Sequence, residues 1–189
     1  MSDDLLKDFL DEAKARMQKS VDATKSEFAT VRTGRASPHL LDRIDVDYYG
    51  ATTPLRQLAQ ISATEARLLT ITPYDKNSIK AIEKSILESD VGLTPSNDGQ
   101  IIRLQIPELT EERRRELVKV IHGIAEQGKV GIRNVRREVM HDLRELKSEG
   151  EIGSDHEHRA EAELQKLTDR HVSDIDKLLA GKEEEILEV

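Results

Sequence analysis

Leu6, Leu10, Ala13, Met17, Val21, Thr24, Phe28 and Val31 recur in steps of three or four, the spacing of one buried stripe on an α-helix. Ser2 stands where an N-cap is wanted, and Asp3 and Asp4 suit the positive end of the helix dipole, so the spacing predicts a helix over about residues 3–31. A second stripe runs through Leu117, Ile121, Ile124, Gly128, Ile132, Val135, Val139, Leu143 and Leu146, with Thr110 as cap, Glu111 and Glu112 in the first turn and Gly150 as the stop. At a rise of about 1.5 Å per residue this helix spans roughly 55 Å and needs partners along its length. A third begins with Ser154 and Glu157 spaced as a capping box. Its stripe is Ala160, Leu164, Leu167, His171, Ile175 and Leu178, ending near Gly181 or continuing toward Leu187. Three amphipathic helices imply a bundle. Gly123, Gly128 and Gly131 each cost about 1 kcal/mol inside a helix relative to alanine, which points to close backbone approach by a neighbour.

The period changes between the first two helices. Ile44, Val46 and Tyr48 alternate with Asp45 and Asp47 in a strand from Arg43 to Tyr49, and Leu68–Thr72 and Ile101–Ile106 also read as strands. A helix starting at Asp75 or Asn77 carries Ile79, Ile82, Ile86 and Leu87 and stops at Gly92. All five prolines, Pro38, Pro54, Pro73, Pro95 and Pro107, fall in this middle stretch, and proline breaks helix interiors. The fold class is therefore α+β: a bundle from residues 1–31 and 107–189, with a small β/α/β domain inserted over 32–106. The two connections lie side by side, and Thr33, Gly34, Arg35, Ala36, Ser37, Pro38, Gln105, Ile106 and Pro107 read as a hinge.

Composition fits long solvated helices. Of 189 residues 35% are charged and 37% hydrophobic, while the aromatics are confined to Phe9, Phe28, Tyr48, Tyr49 and Tyr74. No apolar run reaches the roughly 18–20 residues needed to cross a bilayer, and Met1–Lys7 is acidic, unlike a signal peptide, so a soluble protein is expected. The absence of cysteine excludes disulfides, thiol nucleophiles and Cys-ligated zinc, and is compatible with the cytosol. The net charge of −8 is uneven: residues 151–189 hold twelve acids against five bases, whereas 107–150 hold ten bases against nine acids. An acidic total does not exclude a nucleic-acid partner, because one face can carry the opposite sign.

Such a face exists in projection. Lys119, Lys129, Arg133, Arg137 and Arg144 cluster roughly opposite the apolar stripe of the second helix, Arg115 and Lys147 join them, Arg136 flanks them and Glu126 interrupts them. Arg133, Asn134, Arg136 and Arg137 form its heart. Guanidinium forks match phosphate oxygens bidentately, and Asn134 adds a neutral donor and acceptor. The functional reading is a phosphate-backbone contact surface; the plain alternative is a solvated face that keeps the helix soluble or pairs with the acidic third helix. Catalytic readings are weaker. His156-Glu157-His158 lacks further metal ligands, His171 sits on an apolar stripe as a packed histidine, and Asp45 and Asp47 read as the wet side of a strand. No phosphate-binding glycine loop or nucleophile elbow occurs.

The string Val31-Arg32-Thr33-Gly34-Arg35-Ala36-Ser37-Pro38 resembles the bacterial ribosome recycling factor family. So do Asp47-Tyr48-Tyr49-Gly50, Thr53-Pro54-Leu55-Arg56-Gln57-Leu58, Leu109-Thr110-Glu111-Glu112-Arg113-Arg114 and the run from Val130 to Arg137, in order over essentially residues 3–187. The resemblance implies an L-shaped molecule, with an elongated antiparallel three-helix bundle as long arm and the β/α/β domain as short arm on a flexible double connection. It implies transfer-RNA mimicry in the intersubunit space, with the long arm on large-subunit ribosomal RNA. Elongation factor G with GTP then drives the short arm and splits the post-termination ribosome, and initiation factor 3 follows. The chain itself would be a cytoplasmic monomer, not an enzyme, and would need no cofactor, the GTP being used by elongation factor G.

Carried over by position, Arg133 and Arg136 match the family's ribosomal-RNA contacts, with Arg114 on the same helix and Arg32 near the hinge; the stripe adds Lys129, Asn134 and Arg137. Such contacts position the arm on an RNA backbone, and shape selects the site. The competing reading is a helical adaptor or chaperone-like bundle that binds protein through its acidic third helix.

Overall fold

The computed structural model describes residues 2–188, and the cap expected at Ser2 lies outside the side chains it describes. In chain order the elements are α1 (Ser2–Thr30), β1 (Asp45–Tyr48), β2 (Ala51–Pro54), the single turn α2 (Leu55–Leu58), β3 (Ala59–Glu65), β4 (Leu68–Pro73), α3 (Ile79–Glu88), β5 (Pro95–Asn97), β6 (Ile102–Gln105), α4 (Glu111–Ser148) and α5 (Ser154–Leu187). Short 3-10 turns occupy Pro38–Leu41 and Lys76–Ser78. The chain forms two compact units: one joins the stretch ending at Arg32 to Arg115–Leu187, and the other is centred on Thr33–Arg114.

In the helical unit, Leu6, Ala13, Met17, Val21 and Phe28 of α1 are buried with Leu117, Ile121, Ala125, Ile132, Val135, Val139 and Leu143 of α4 and Ala160, Leu164 and Ile175 of α5. Ala125, not Ile124, takes the inward position on α4, and α5 runs on past Gly181 because Ile186 is fully buried. Cross-helix pairs set the directions. Arg16 meets Glu138, while Ser20 and Thr24 lie against Gly131 and Gly128, so α1 and α4 are antiparallel. Lys147 meets Glu157, Lys129 meets Asp176 and His122 meets Glu183, so α4 and α5 are antiparallel too. The buried hydroxyls of Thr24 and Thr168 donate to the carbonyls of Ser20 and Leu164, each at 2.8 Å, so neither is left unsatisfied.

The helix ends follow local chemistry. Thr110 Oγ1 accepts from Arg113 N at 3.2 Å, the expected cap of α4. At the other end Gly150, with φ +79°, donates to Lys147 O and Glu151 N donates to Leu146 O, a Schellman stop that turns the chain into α5. The capping box expected at Ser154 does not form. Ser154 is already helical, Glu157 N donates to Gly153 O, and the buried Glu157 carboxylate is drawn to Lys147 instead.

The small unit is built from antiparallel pairs only. β1 and β2 form a hairpin, and the other sheet has the order β3-β4-β6-β5. Beyond the three expected strands, β2, β3 and β5 are additions. Leu69 and Ile71 of β4 and Ile102 and Leu104 of β6 alternate inward against Ile79, Ile82 and Ile86 of α3. Asp45 and Asp47 point to solvent, as expected. The β1–β2 turn has positive φ at both Tyr49 (51°) and Gly50 (83°), matching the right-handed twist of a tight hairpin. α3 ends at Ser89, whose hydroxyl donates to Ile86 O, three residues before Gly92.

Of the three α4 glycines, two mark the close approach expected. A Cβ on Gly128 would lie 2.2 Å from Thr24 Oγ1 and 2.8 Å from Ile175 Cδ1, and one on Gly131 would lie 3.1 Å from Ser20 Oγ. Gly123 meets nothing within 4 Å. Thr24 is held by its bond to Ser20 O and cannot swing aside. Gly128→Ala therefore lowers stability by about 1–3 kcal/mol despite alanine's better helix propensity, and Gly131→Ala costs less, as urea denaturation will measure.

Acid acts on the small unit through Asp98. Its carboxylate accepts from Ile101 N, Arg103 and Gln100 N, which together hold it down at about 2, against an ordinary 3.8. The stabilisation it gives is present above the ordinary value and lost as pH falls through about 2. Melting curves of the parent and Asp98→Asn should differ at neutral pH and converge below about pH 2.

Candidate nucleic-acid interface

The buried stripe of α4 fixes the outward direction of everything else on that helix. Arg115, Lys119, Arg133, Arg137 and Arg144 are all exposed along the opposite face. Lys119 and Arg144 make no ion pair among the described residues, so their charge is open to a ligand. Arg133 Nη1 lies 3.0 Å from Glu126 Oε1, the one acid that interrupts the face. Arg137 donates to Asn134 Oδ1, which orients one guanidinium beside the exposed Asn134. Arg136 is half-buried on the flank and makes no ion pair among the described residues.

Lys129 is placed differently. It is only 17% exposed and pairs with Asp176 of α5, so it belongs to the seam between two helices as well as to the edge of the cationic face. Lys147 likewise turns to Glu157. Arg32 is exposed just beyond α1, and Arg114 is half-buried in the first turn of α4, on the small unit's side of the division.

The connecting residues are anchored to different degrees. Gly34 has φ +76°, and its missing Cβ would stand 3.0 Å from Leu109 Cγ. Thr33 and Ala36 are buried, and Ala36 N donates to Ala66 O at 2.7 Å. Ser37 caps the 3-10 turn that starts at Pro38 by accepting from His39 N. Gln105 closes β6 opposite Leu68, and the buried Ile106 donates to Arg67 O at 2.8 Å. Arg35 and Pro107 stay exposed.

One feature of the small unit was not legible beforehand. Tyr48 and Tyr49 stack edge-on at 4.6 Å and both donate to Asp75 Oδ2, while Tyr49 and the neighbouring Tyr74 remain largely exposed. The Asn77 N–H, with help from the two phenols, holds the Asp75 carboxyl below the usual range, and the bond to Asp75 raises the Tyr48 hydroxyl. Paired tyrosines before a glycine turn were the available signal. Of the histidines, His171 is buried with Nδ1 2.7 Å from Leu167 O; His156 faces Asp3 and His158 faces Glu161. Among the described residues no group of histidines and carboxylates is placed to hold a metal ion, and no helix is long and apolar enough to cross a membrane.

Fold and face together define an α+β protein of two units, a three-helix bundle with an arginine-rich outer face on its longest helix and an antiparallel α/β unit set into the chain between two of its helices. The chain belongs to the ribosome recycling factor family. The family model described as "Ribosome recycling factor" matches residues 24–187. The ribosome-recycling factor of Rubrobacter xylanophilus is 58% identical over 180 residues, covering 95% of this chain and 97% of that protein. The one from Bacillus subtilis is 53% identical over 183 residues, covering 97% and 99%. Among solved structures, a solution structure of the ribosome recycling factor matches with a TM-score of 0.74 at 44% identity, covering 97% of this chain and 98% of that one. A second match, at TM-score 0.64 and 46% identity over 96% and 98% of the two chains, is described as models of the T. thermophilus ribosome recycling factor and the E. coli elongation factor G bound to the E. coli post-termination complex.

The two kinds of cation on α4 should separate in melting experiments. Lys129→Ala removes a cross-helix pair and lowers stability by up to about 1 kcal/mol. Arg133→Ala, on the open face, stays within about 0.5 kcal/mol of the parent. Thermal denaturation of the two variants at low salt checks the contrast.

Proposed function

We propose that this chain recycles ribosomes by laying the α4 face on ribosomal RNA of the large subunit. The observation that carries the reading is the outward row Arg115, Lys119, Arg133, Arg137 and Arg144, set by the buried stripe and interrupted by Glu126, in a chain that belongs to this family. Arg133, Asn134, Arg136 and Arg137 supply the central phosphate contacts, Arg32 and Arg114 add contacts near the chain connections, and Lys129 contributes from the edge. These groups read a backbone rather than base edges, so shape selects the site.

Elongation factor G, with GTP as its own substrate, acts on the small unit once the bundle is seated, and the post-termination ribosome separates into subunits. Initiation factor 3 then keeps the small subunit apart. This chain performs no bond-making chemistry, needs no cofactor and works as a monomer in the cytoplasm. The stretches Thr33–Pro38 and Gln105–Pro107 serve as the hinge. Support for a pivot is strongest at Gly34 and Arg35 and at Pro107, because Ala36 and Ile106 are tied by backbone bonds into the small unit.

The direct test is sedimentation of post-termination ribosomes with this protein, elongation factor G, GTP and initiation factor 3, omitting one component at a time. Free subunits should appear only when this protein and elongation factor G are both present; intact ribosomes with active controls would move a protein-binding adaptor first. Replacing Arg133 and Arg136 together by alanine should weaken ribosome binding and lower the slope of log affinity against log salt by roughly one for each phosphate no longer neutralised. An unchanged slope would mean the row is only a solvated face.

A further inference from the structure

Gly128 and Gly131 are accounted for by α1 and α5, but Gly123 is not. It lies a third of the way along a 38-residue helix, well inside its ends, it is exposed, and a Cβ built on it would meet nothing within 4 Å. A glycine there costs about 1 kcal/mol relative to alanine with no packing inside the molecule to offset it. Its position on the helix is informative. Steps of three and four residues, the neighbour spacing on a helix surface, lead from Lys119 to Gly123, Glu126, Val130, Arg133 and Arg137. All six are exposed, and the Glu126 carboxylate is already engaged by Arg133. Gly123 is thus a notch in the cationic row, with Lys119 next to it on one side and, beyond Glu126 on the other, Val130 at 43% exposure.

We propose that Gly123 is a close-approach point where an RNA strand lies directly against the α4 backbone, its phosphates held by Lys119 on one side and, further along the row, by Arg133 and Arg137. This rests on the reading of the α4 face given above and deepens it. Removing a Cβ uncovers helix carbonyls, which accept hydrogen bonds. The ribose 2′-hydroxyl is a donor that DNA lacks, so the notch suits an RNA sugar edge in a shallow groove. The bare methyls of Val130 along the same row favour a sugar face over another charged group. Gly181, the other helical glycine that faces open space, also has a lysine four residues before it, Lys177, but α5 continues from there through Glu183, Glu184 and Glu185, where α4 continues to Arg133 and Arg137.

The experiment uses the full chain with Gly123→Ala, Gly123→Leu and the Arg133→Ala control. Each is melted, and each is titrated onto large ribosomal subunits without elongation factor G over a range of salt. Gly123→Ala should melt at or above the parent temperature, because alanine is the better helix former on an open face, yet bind at least about fivefold more weakly. Gly123→Leu should bind more weakly still. The salt slope of both should equal the parent's, since no cation is removed, whereas Arg133→Ala lowers it. Parental affinity for Gly123→Leu overturns the notch while leaving the face intact. Parental affinity and slope for Arg133→Ala overturn the face itself, and the notch with it. If leucine disturbs folding, the alanine variant alone decides between the two results.

Discussion

The approach of α4 to α1 at Gly128 and Gly131 is the constraint on which the rest of the molecule depends. Thr24 and Ser20 occupy the space that two side chains would fill, and Ile175 of α5 reaches the same point. Three helices meet where none of them has room to give. A 38-residue helix has many rotational settings that bury some apolar surface, but few that place both glycines against α1. Once that setting is chosen, Ile132, Val135 and Val139 are inward, and Arg133 and Arg137 are outward. The functional face is the reverse side of a packing decision.

Charge is sorted by the same geometry. The acidic C-terminal fifth does not neutralise the cationic face, because α5 meets α4 along its flank: Asp176 takes Lys129, Glu157 takes Lys147 and Glu183 faces His122. These acids of α5 are therefore engaged with side chains that lie at the helix seam, and the acid that meets the outward row at Arg133 is Glu126 of α4 itself. A net charge of −8 and an anionic ligand are compatible because the opposing charges face different directions.

The helices were legible because their signals are local and strong: a 3.6-residue period, Thr110 as cap, Gly150 as stop. What failed was decided at longer range. The Ser154–Glu157 pair has the spacing of a capping box, yet Lys147, ten residues upstream of Glu157, captures the carboxylate. Lys129 projects beside the arginines, and only the packing of α5 reveals that Asp176 holds it. In the middle, Val46, Ile71 and Leu104 announce their strands by alternation, while β3, with Ala59, Ser62 and Ala63, and β5, with Pro95, are weak by composition. Those strands exist because stronger neighbours offer them an edge to pair with. The outer face of α4 was readable as a pattern; which of its members are already partnered was not.

The insertion also sets an order of events. The small unit is continuous from Thr33 to Arg114, so its whole core leaves the site of synthesis as one piece, ahead of the rest of α4 and all of α5. α1 is made in advance of its partners. Met17 and Phe28, made first, are buried in the helical unit, whose other two helices come from Arg115 onward. At about 5–20 residues per second, the first helix waits several seconds as an isolated amphipathic segment before α4 and α5 arrive. Its many charges, from Asp3 to Glu27, suit that interval, since they keep an unpartnered stripe narrow and solvated. The sequence of α1 is thus shaped by two environments in turn: water alongside a growing chain, then the seam against two glycines.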